Sequence, residues 1–157
     1  MNLILRKIID SDLPIFFQQQ LDDDANFMAA FISRDPKNRE EFNKHWQKIR
    51  VDKSIIIRTI EYGENVVGNV ASFLMEGKRE VSYWIGKDYW GQGIATNGLT
   101  KFLEIIKERP LYAHVAFDNI GSINVLQKSG FIKIGDNKYY SNARSKEITE
   151  YIFELPK

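Results

Sequence analysis

The chain has 157 residues, 43% of them hydrophobic and 13% aromatic, which suffices for one ordinary domain with its own core. Twenty-two basic residues against twenty-one acidic ones leave a formal charge of +1, too balanced for the broad electropositive surface of nonspecific nucleic-acid binding. There is no cysteine, which excludes disulfides, thiolate metal ligands and a cysteine nucleophile; His45 and His114 stand far apart without metal-ligand spacing, so no metal is expected.

Leu3 to Ile9 predicts an opening strand. Its Arg6 and Lys7 lie inside a short apolar alternation and not ahead of a long apolar block, so no signal peptide is expected. Nowhere does an apolar run reach the roughly eighteen residues of a membrane span, and a reducing cytoplasm is the expected compartment. Asp10-Ser11-Asp12 followed by Leu13-Pro14 marks a helix start, with the acidic run Asp22-Asp23-Asp24 as its expected end. A second helix is expected from a cap at Asp35 and Pro36 in its first turn, with Phe42, Trp46 and Ile49 at helical spacing.

From Ser54 the pattern changes to strands: Ile55 to Ile60, a turn at Gly63-Glu64-Asn65, Val66 to Leu74, a turn at Glu76-Gly77-Lys78, and Arg79 to Gly86. Such short links make an antiparallel meander. Ile94 to Glu108 carries Ala95, Leu99, Phe102, Leu103 and Ile106 on one helical face, with Pro110 as the stop. Leu111 to Phe117 reads as a strand, Ser122 to Ser129 as a short helix closed by Gly130, and Phe131 to Ile134 and Ile148 to Leu155 as the last strands. Without a repeat or linker, residues 1–157 are expected to form a single α+β domain.

The chemistry concentrates in Tyr83-Trp84-Ile85-Gly86-Lys87-Asp88-Tyr89-Trp90-Gly91-Gln92-Gly93-Ile94-Ala95-Thr96, a strand, a glycine-bearing loop and a helix start. Glycines let backbone N–H groups converge on an anion, and the helix N-terminus adds the positive end of its dipole, so the loop suits a phosphate; glycine ahead of a helix also serves plain turn geometry. Gly91 and Gly93 match the first two glycines of a dinucleotide fingerprint, and Asp118 ends the next strand, but Thr96 replaces the third glycine and an antiparallel meander precedes the loop. The lysine of a P-loop is missing as well.

These residues resemble the GNAT superfamily of N-acetyltransferases, most closely its ribosomal-protein-acetyltransferase branch. The likeness runs nearly the full chain, through Tyr83-Trp84-Ile85-Gly86, the loop from Trp90 to Thr96, Asp118-Asn119-Ile120-Gly121-Ser122 and Val125-Leu126-Gln127-Lys128-Ser129-Gly130-Phe131. Gly93 and Ala95 fit the family's phosphate loop, while Trp90 holds the place usually taken by arginine or glutamine. The resemblance implies a twisted, mostly antiparallel sheet flanked by helices and splayed between strands four and five. Acetyl-CoA would lie in that opening as acetyl donor, its pantetheine against the backbone at Trp84 and Ile85 and its pyrophosphate on the amides of Gln92, Gly93, Ile94, Ala95 and Thr96. Asn119 and Ser122 would contact the coenzyme, and Lys128 a phosphate, although Asn119 also suits a turn and Lys128 a solvated helix face.

Acetyl transfer to an amine needs an uncharged nitrogen, a donor for the oxyanion and a proton for the thiolate. A main-chain N–H near Ile85 is the expected oxyanion donor. His114, in the fifth strand, is the first candidate for the base, as an imidazole titrating near neutrality or as a histidine merely bonded within the sheet. Glu80 is the second candidate, or else pairs with Arg79 or Lys78 on a solvated edge. The tyrosine that many relatives use as acid is Leu126 here, which leaves Ser122 as the catalytic candidate at the sulfur. The acceptor wall should come from the first two helices, with Asp22, Asp23, Asp24, Asn26, Phe27, Met28 and Phe31 as its residues, where the acidic run attracts an amine or simply solvates a helix end. The expected activity is acetyl transfer from acetyl-CoA to a peptide N-terminus or small amine by a monomer or homodimer; a noncatalytic acyl-CoA-binding module and a nucleotide-dependent oxidoreductase are the alternatives.

Overall fold

The computed structural model describes residues 2–157. Seven strands, β1 (Leu3–Arg6), β2 (Ile56–Tyr62), β3 (Asn65–Met75), β4 (Lys78–Ile85), β5 (Leu111–Ala116), β6 (Ile132–Ser141) and β7 (Lys146–Leu155), form one sheet. Their order is β1-β2-β3-β4-β5-β7-β6. The helices are α1 (Asp12–Gln20), α2 (Asp23–Ala29), α3 (Arg39–Val51), α4 (Ile94–Ile105) and α5 (Ile120–Lys128). Every strand pair is antiparallel except β4–β5, which is parallel because α4 crosses between them. That pair meets only at Glu80↔Tyr112, beyond which the strands diverge, giving the splay expected between the fourth and fifth strands.

Strand alternation sorts side chains onto two faces. On one, Val70, Val81, Ile85, Leu111, Ala113, Val115 and Phe153 pack against Ile94, Leu99 and Phe102 of α4 and Leu126 of α5. Phe102 and Phe153 are fully buried, each worth about 1.5–3 kcal/mol against exposure. On the other face, Ile57 and Val66 meet Phe16 and Phe17 of α1 and Phe42 and Trp46 of α3. β1 is locked to both neighbours by a buried polar cluster: Asp12 accepts from Arg6 at 2.7 and 2.8 Å, from the Ile9 amide at 3.0 Å and from Thr59 Oγ1 at 2.7 Å. Burial alone would raise the Asp12 carboxyl, but these donors outweigh it and hold its pKa below the usual range.

The first half departs from the expected elements. The acidic run begins a helix and does not end one: α1 stops at Gln20, and Asp22 caps α2 by accepting from the Ala25 amide at 2.8 Å, with Asp23 and Asp24 in the first turn where the dipole favours negative charge. The cap of α3 is Asn38, bonded to the Glu41 amide at 3.0 Å; Asp35 instead accepts from the Lys37 amide in a turn, three residues upstream. α4 ends at Ile105, ahead of the expected Glu108, because Ile106 is already extended. β6 runs on to Ser141, well past Ile134, held by its ladder to β7.

Candidate active site

The splay opens a cleft of about 520 Å³ lined by Tyr83, Trp84 and Ile85 of β4, the loop that follows, and Asn119, Ser122 and Lys128 at α5. At one end stands the α4 N-terminus. Gly91 and Gly93 have φ of 75° and 77°, left-handed values that favour glycine, and Gly93 caps α4 with no side chain bonded over the end. The amides of the first helical turn therefore have no acceptor within the helix and face an anion-binding position.

Of the expected coenzyme contacts, Trp84, Ile85, Gly93, Ile94, Ala95, Thr96, Asn119, Ser122 and Lys128 all line this cleft. Gln92 does not, and its side chain turns back to donate to Asp88 O at 3.4 Å. Trp90 likewise folds onto the strand end, its indole N–H donating to Ile85 O at 2.9 Å. The Nε1 of Trp84 is buried without a partner among the described residues. Asn119 combines both of its expected roles: it lines the cleft and caps α5, accepting from the Ser122 amide at 3.3 Å. Its amide also donates to Met28 O at 3.3 Å, which ties α5 to α2.

The strand end that carries this wall is set by a close approach. Gly68 of β3 lies opposite Ile85, and a Cβ there would sit 2.1 Å from Trp84 O. No side chain fits that gap. The Gly86 amide already donates to Val67 O at 2.9 Å, so it is not the free oxyanion donor expected near Ile85.

A smaller cavity of about 130 Å³ adjoins the cleft and shares Ala29, Tyr83, Asn119 and Ser122 with it; His114 is among its other lining residues. His114 is not a free imidazole. Its Nε2 is 3.2 Å from Glu80 and its Nδ1 is 3.0 Å from Glu150, a residue the sequence reading did not single out. The bond to Glu150, then that to Glu80, overcomes the opposing effect of burial and pushes the His114 pKa up to about 10. The two carboxylates favour the protonated imidazole, in contrast to the expectation of one titrating near neutrality. Glu80 departs from its expected surface pairing too. Its side chain is buried against His114, while Arg79 pairs with Glu108 and Lys78 lies over the Tyr112 ring.

α2 supplies Ala25, Met28 and Ala29 to the cleft lining, and the tip of the β6–β7 hairpin holds that helix in place. Arg144 reaches from that tip to Asp118 at 2.6 and 2.8 Å, donates to Phe27 O at 3.0 Å and stacks its guanidinium 4.3 Å from the Phe27 ring centre. Ser141 and Asn142 donate to Ala30 O and Ile32 O. At the other end Lys87 pairs with Asp24 and Asp22, and Lys37 with Asp23. The acidic run thus serves capping and ion pairs within the protein. Met28 faces the cleft, Trp46 is core, and Phe31 packs edge-on against Tyr139. Among the described residues no cluster of His, Asp or Glu is arranged to hold a metal, and no helix is long and apolar enough to cross a membrane.

A model of the acetyltransferase (GNAT) domain matches residues 2–132. An uncharacterized N-acetyltransferase, p20 of Bacillus licheniformis, is 27% identical over 111 residues, covering 66% of this chain and 61% of its own length, so the match spans less than two thirds of that relative. Among solved structures, the ribosomal-protein-alanine N-acetyltransferase of Brucella melitensis superimposes with a TM-score of 0.81 at 20% identity, covering 98% of this chain and 99% of that one. The spermidine N-acetyltransferase of Vibrio cholerae, solved with CoA and spermine, gives 0.78 at 20% identity over 98% and 95% of the chains. A microcin C7 self-immunity acetyltransferase, solved with acetyl-CoA and AMP, gives 0.82 at 16% identity over 99% and 92%.

Proposed function

The chain belongs to the GNAT acetyltransferase family, and from that membership we propose that it transfers the acetyl group of acetyl-CoA directly to an amine, a peptide N-terminus or a small molecule, within one cytoplasmic domain. The observation that carries the reading is the continuity of the site: the cleft that starts at the α4 N-terminus adjoins a small cavity lined by His114, behind which Glu80 and Glu150 are paired with the imidazole. The fit to the coenzyme rests on the glycine cradle at Gly91 and Gly93 and on the first-turn amides of α4, over which no side chain is bonded. Bound acetyl-CoA would supply the activated thioester; everything else is asked of the chain's own groups.

With His114 protonated, the cluster carries a net charge of −1 from Glu80 and Glu150, set in a part-buried site where charge acts strongly. It attracts the ammonium form of an acceptor and accepts its proton on a carboxylate oxygen, leaving the uncharged nitrogen that attack requires. Glu80 and Glu150 take over the role expected of His114, which orients both by donating from its two ring nitrogens. The main-chain N–H of Ile85 remains the nominee for the oxyanion. A monomer or homodimer suffices, since both halves of the site lie in one chain.

Leu126, buried in the tyrosine's place, favours a second reading as an acyl-CoA-binding module without turnover. Thiol release from acetyl-CoA with a panel of amines, including peptides with free N-termini and polyamines, separates the two. Release with at least one amine supports the transferase. Coenzyme A binding without release on any of them supports the module, and absence of binding refutes both.

A further inference from the structure

Position 126 offers only a leucine where many relatives carry a tyrosine hydroxyl, yet Tyr83 borders the same small cavity from another element. The Tyr83 hydroxyl, carried by β4, donates across the splay to Ser122 Oγ of α5 at 2.9 Å. Both residues line the cleft and the small cavity together. A coenzyme laid from the α4 N-terminus toward His114 brings its sulfur past that boundary. We propose that Tyr83 acts through Ser122 as the positioning half of a hydroxyl pair that holds the coenzyme sulfur as it leaves. The inference rests on the acetyl-CoA reading given above.

Ser122 is fixed from two sides. Its amide donates to Asn119 Oδ1 at 3.3 Å, and its oxygen accepts from Tyr83, so its own hydroxyl hydrogen is directed elsewhere; among the described residues it meets no protein acceptor. A hydroxyl that already accepts one hydrogen bond donates more strongly to the next. Burial pushes the Tyr83 phenol up to about 12, against the smaller opposing effect of the Ser122 bond, so the phenol keeps its proton throughout the working range.

In the reaction the N–C bond forms, the C–S bond breaks, and its electron pair leaves on sulfur. An ordinary thiol is far more acidic than this phenol, with a cysteine pKa of about 8.5 for comparison. The pair therefore stabilises the thiolate by donating a hydrogen bond and does not surrender a proton to it. The proton that neutralises the sulfur is drawn from solvent, which the acceptor's own proton replenishes, so that ammonium and thioester yield amide, thiol and one proton. Tyr83 is thus a positioning residue, touching the sulfur only through Ser122.

The test reads the sulfur without an acceptor. Thiolate absorbance of bound coenzyme A, taken as the difference between loaded and unloaded protein, is titrated against pH for the parent, Tyr83→Phe, Ser122→Ala and the double variant. Calorimetry of coenzyme binding at low pH shows that each variant is folded and loaded. The parent should form thiolate at lower pH than free coenzyme A, and each single variant should cut the thiolate fraction at fixed pH by about three- to tenfold. The double variant should lose no more than Ser122→Ala alone, because the pair acts as a unit. A parent titration equal to that of free coenzyme A, an unchanged titration in Tyr83→Phe, or losses that multiply in the double variant would overturn the proposal. Failure of every amine to release thiol bears on the transferase reading alone and leaves these titrations standing.

Discussion

Removing His114 leaves Glu80 and Glu150 facing one another with nothing between them, and the consequence can be sized. The interval from the ordinary imidazole pKa of 6.5 to about 10 corresponds, at about 1.4 kcal/mol per pH unit, to an upper limit of about 5 kcal/mol of folding stability. With the His114 side chain 23% exposed, solvent takes part of this. Breaking a buried ion cluster by deleting one partner independently suggests roughly 3–5 kcal/mol. His114→Ala should therefore lose about 3 kcal/mol or more at pH 7, moving the urea midpoint down by about 1.5 M for a slope near 2 kcal/mol per M, read from tryptophan fluorescence. The pH dependence carries the sign. A raised folded pKa gives stability that is complete below 6.5 and lost as pH rises through about 10, so the gap between parent and variant should shrink by about 1.4 kcal/mol per pH unit from pH 6.5 upward and be lost by about pH 10. A gap that closes between pH 6 and 8 would mean an ordinary imidazole and would refute the cluster.

Gly93→Glu should abolish coenzyme A binding in calorimetry while the fold persists, because it puts a side chain and a negative charge at the left-handed cap of α4; retained affinity would sink the anion site. Gly68→Ala, whose Cβ would meet Trp84 O at 2.1 Å, should push the end of β4 outward, lower stability by about 1–3 kcal/mol and weaken coenzyme binding in parallel. Arg144→Ala should raise the KM for the acceptor and speed amide exchange in α2 while coenzyme affinity stays unchanged, since it unties the hairpin from Phe27 and Asp118 and touches nothing at the α4 end.

Much of this was legible because local chemistry and global role agree. The meander from β2 to β4, the glycine loop and the amphipathic α4 announce themselves through periodicity and turn residues, and the two quoted motifs place the cleft between them. What stayed hidden depends on register or on competing signals. Glu150 meets His114 from a strand 36 positions away, an encounter fixed by the β5–β7 ladder and not by any spacing in the sequence. Tyr83 reads as one more aromatic of a buried strand until the splay shows what its hydroxyl reaches. β6 beyond Ile134 carries Gly135, Asp136, Asn137 and Lys138, residue types that strands avoid, and takes its form from β7. The start of α2 was written in its acidic residues, but the same run fits a solvated helix end.

At seven residues, α2 is well below the length at which a helix holds itself together in water. Its shape is imposed from outside, by Lys87 at one end and by Arg144, 117 positions along the chain from Phe27, at the other. On the acetyltransferase reading, the hairpin tip fixes the helix that lends Ala25, Met28 and Ala29 to the cleft, whereas the coenzyme would rest on β4, α4 and α5. A lineage could redraw the hairpin and so change which amine is admitted, with the donor half of the molecule left as it is. One acetyl donor and many acceptors is the repertoire that such a division of labour permits.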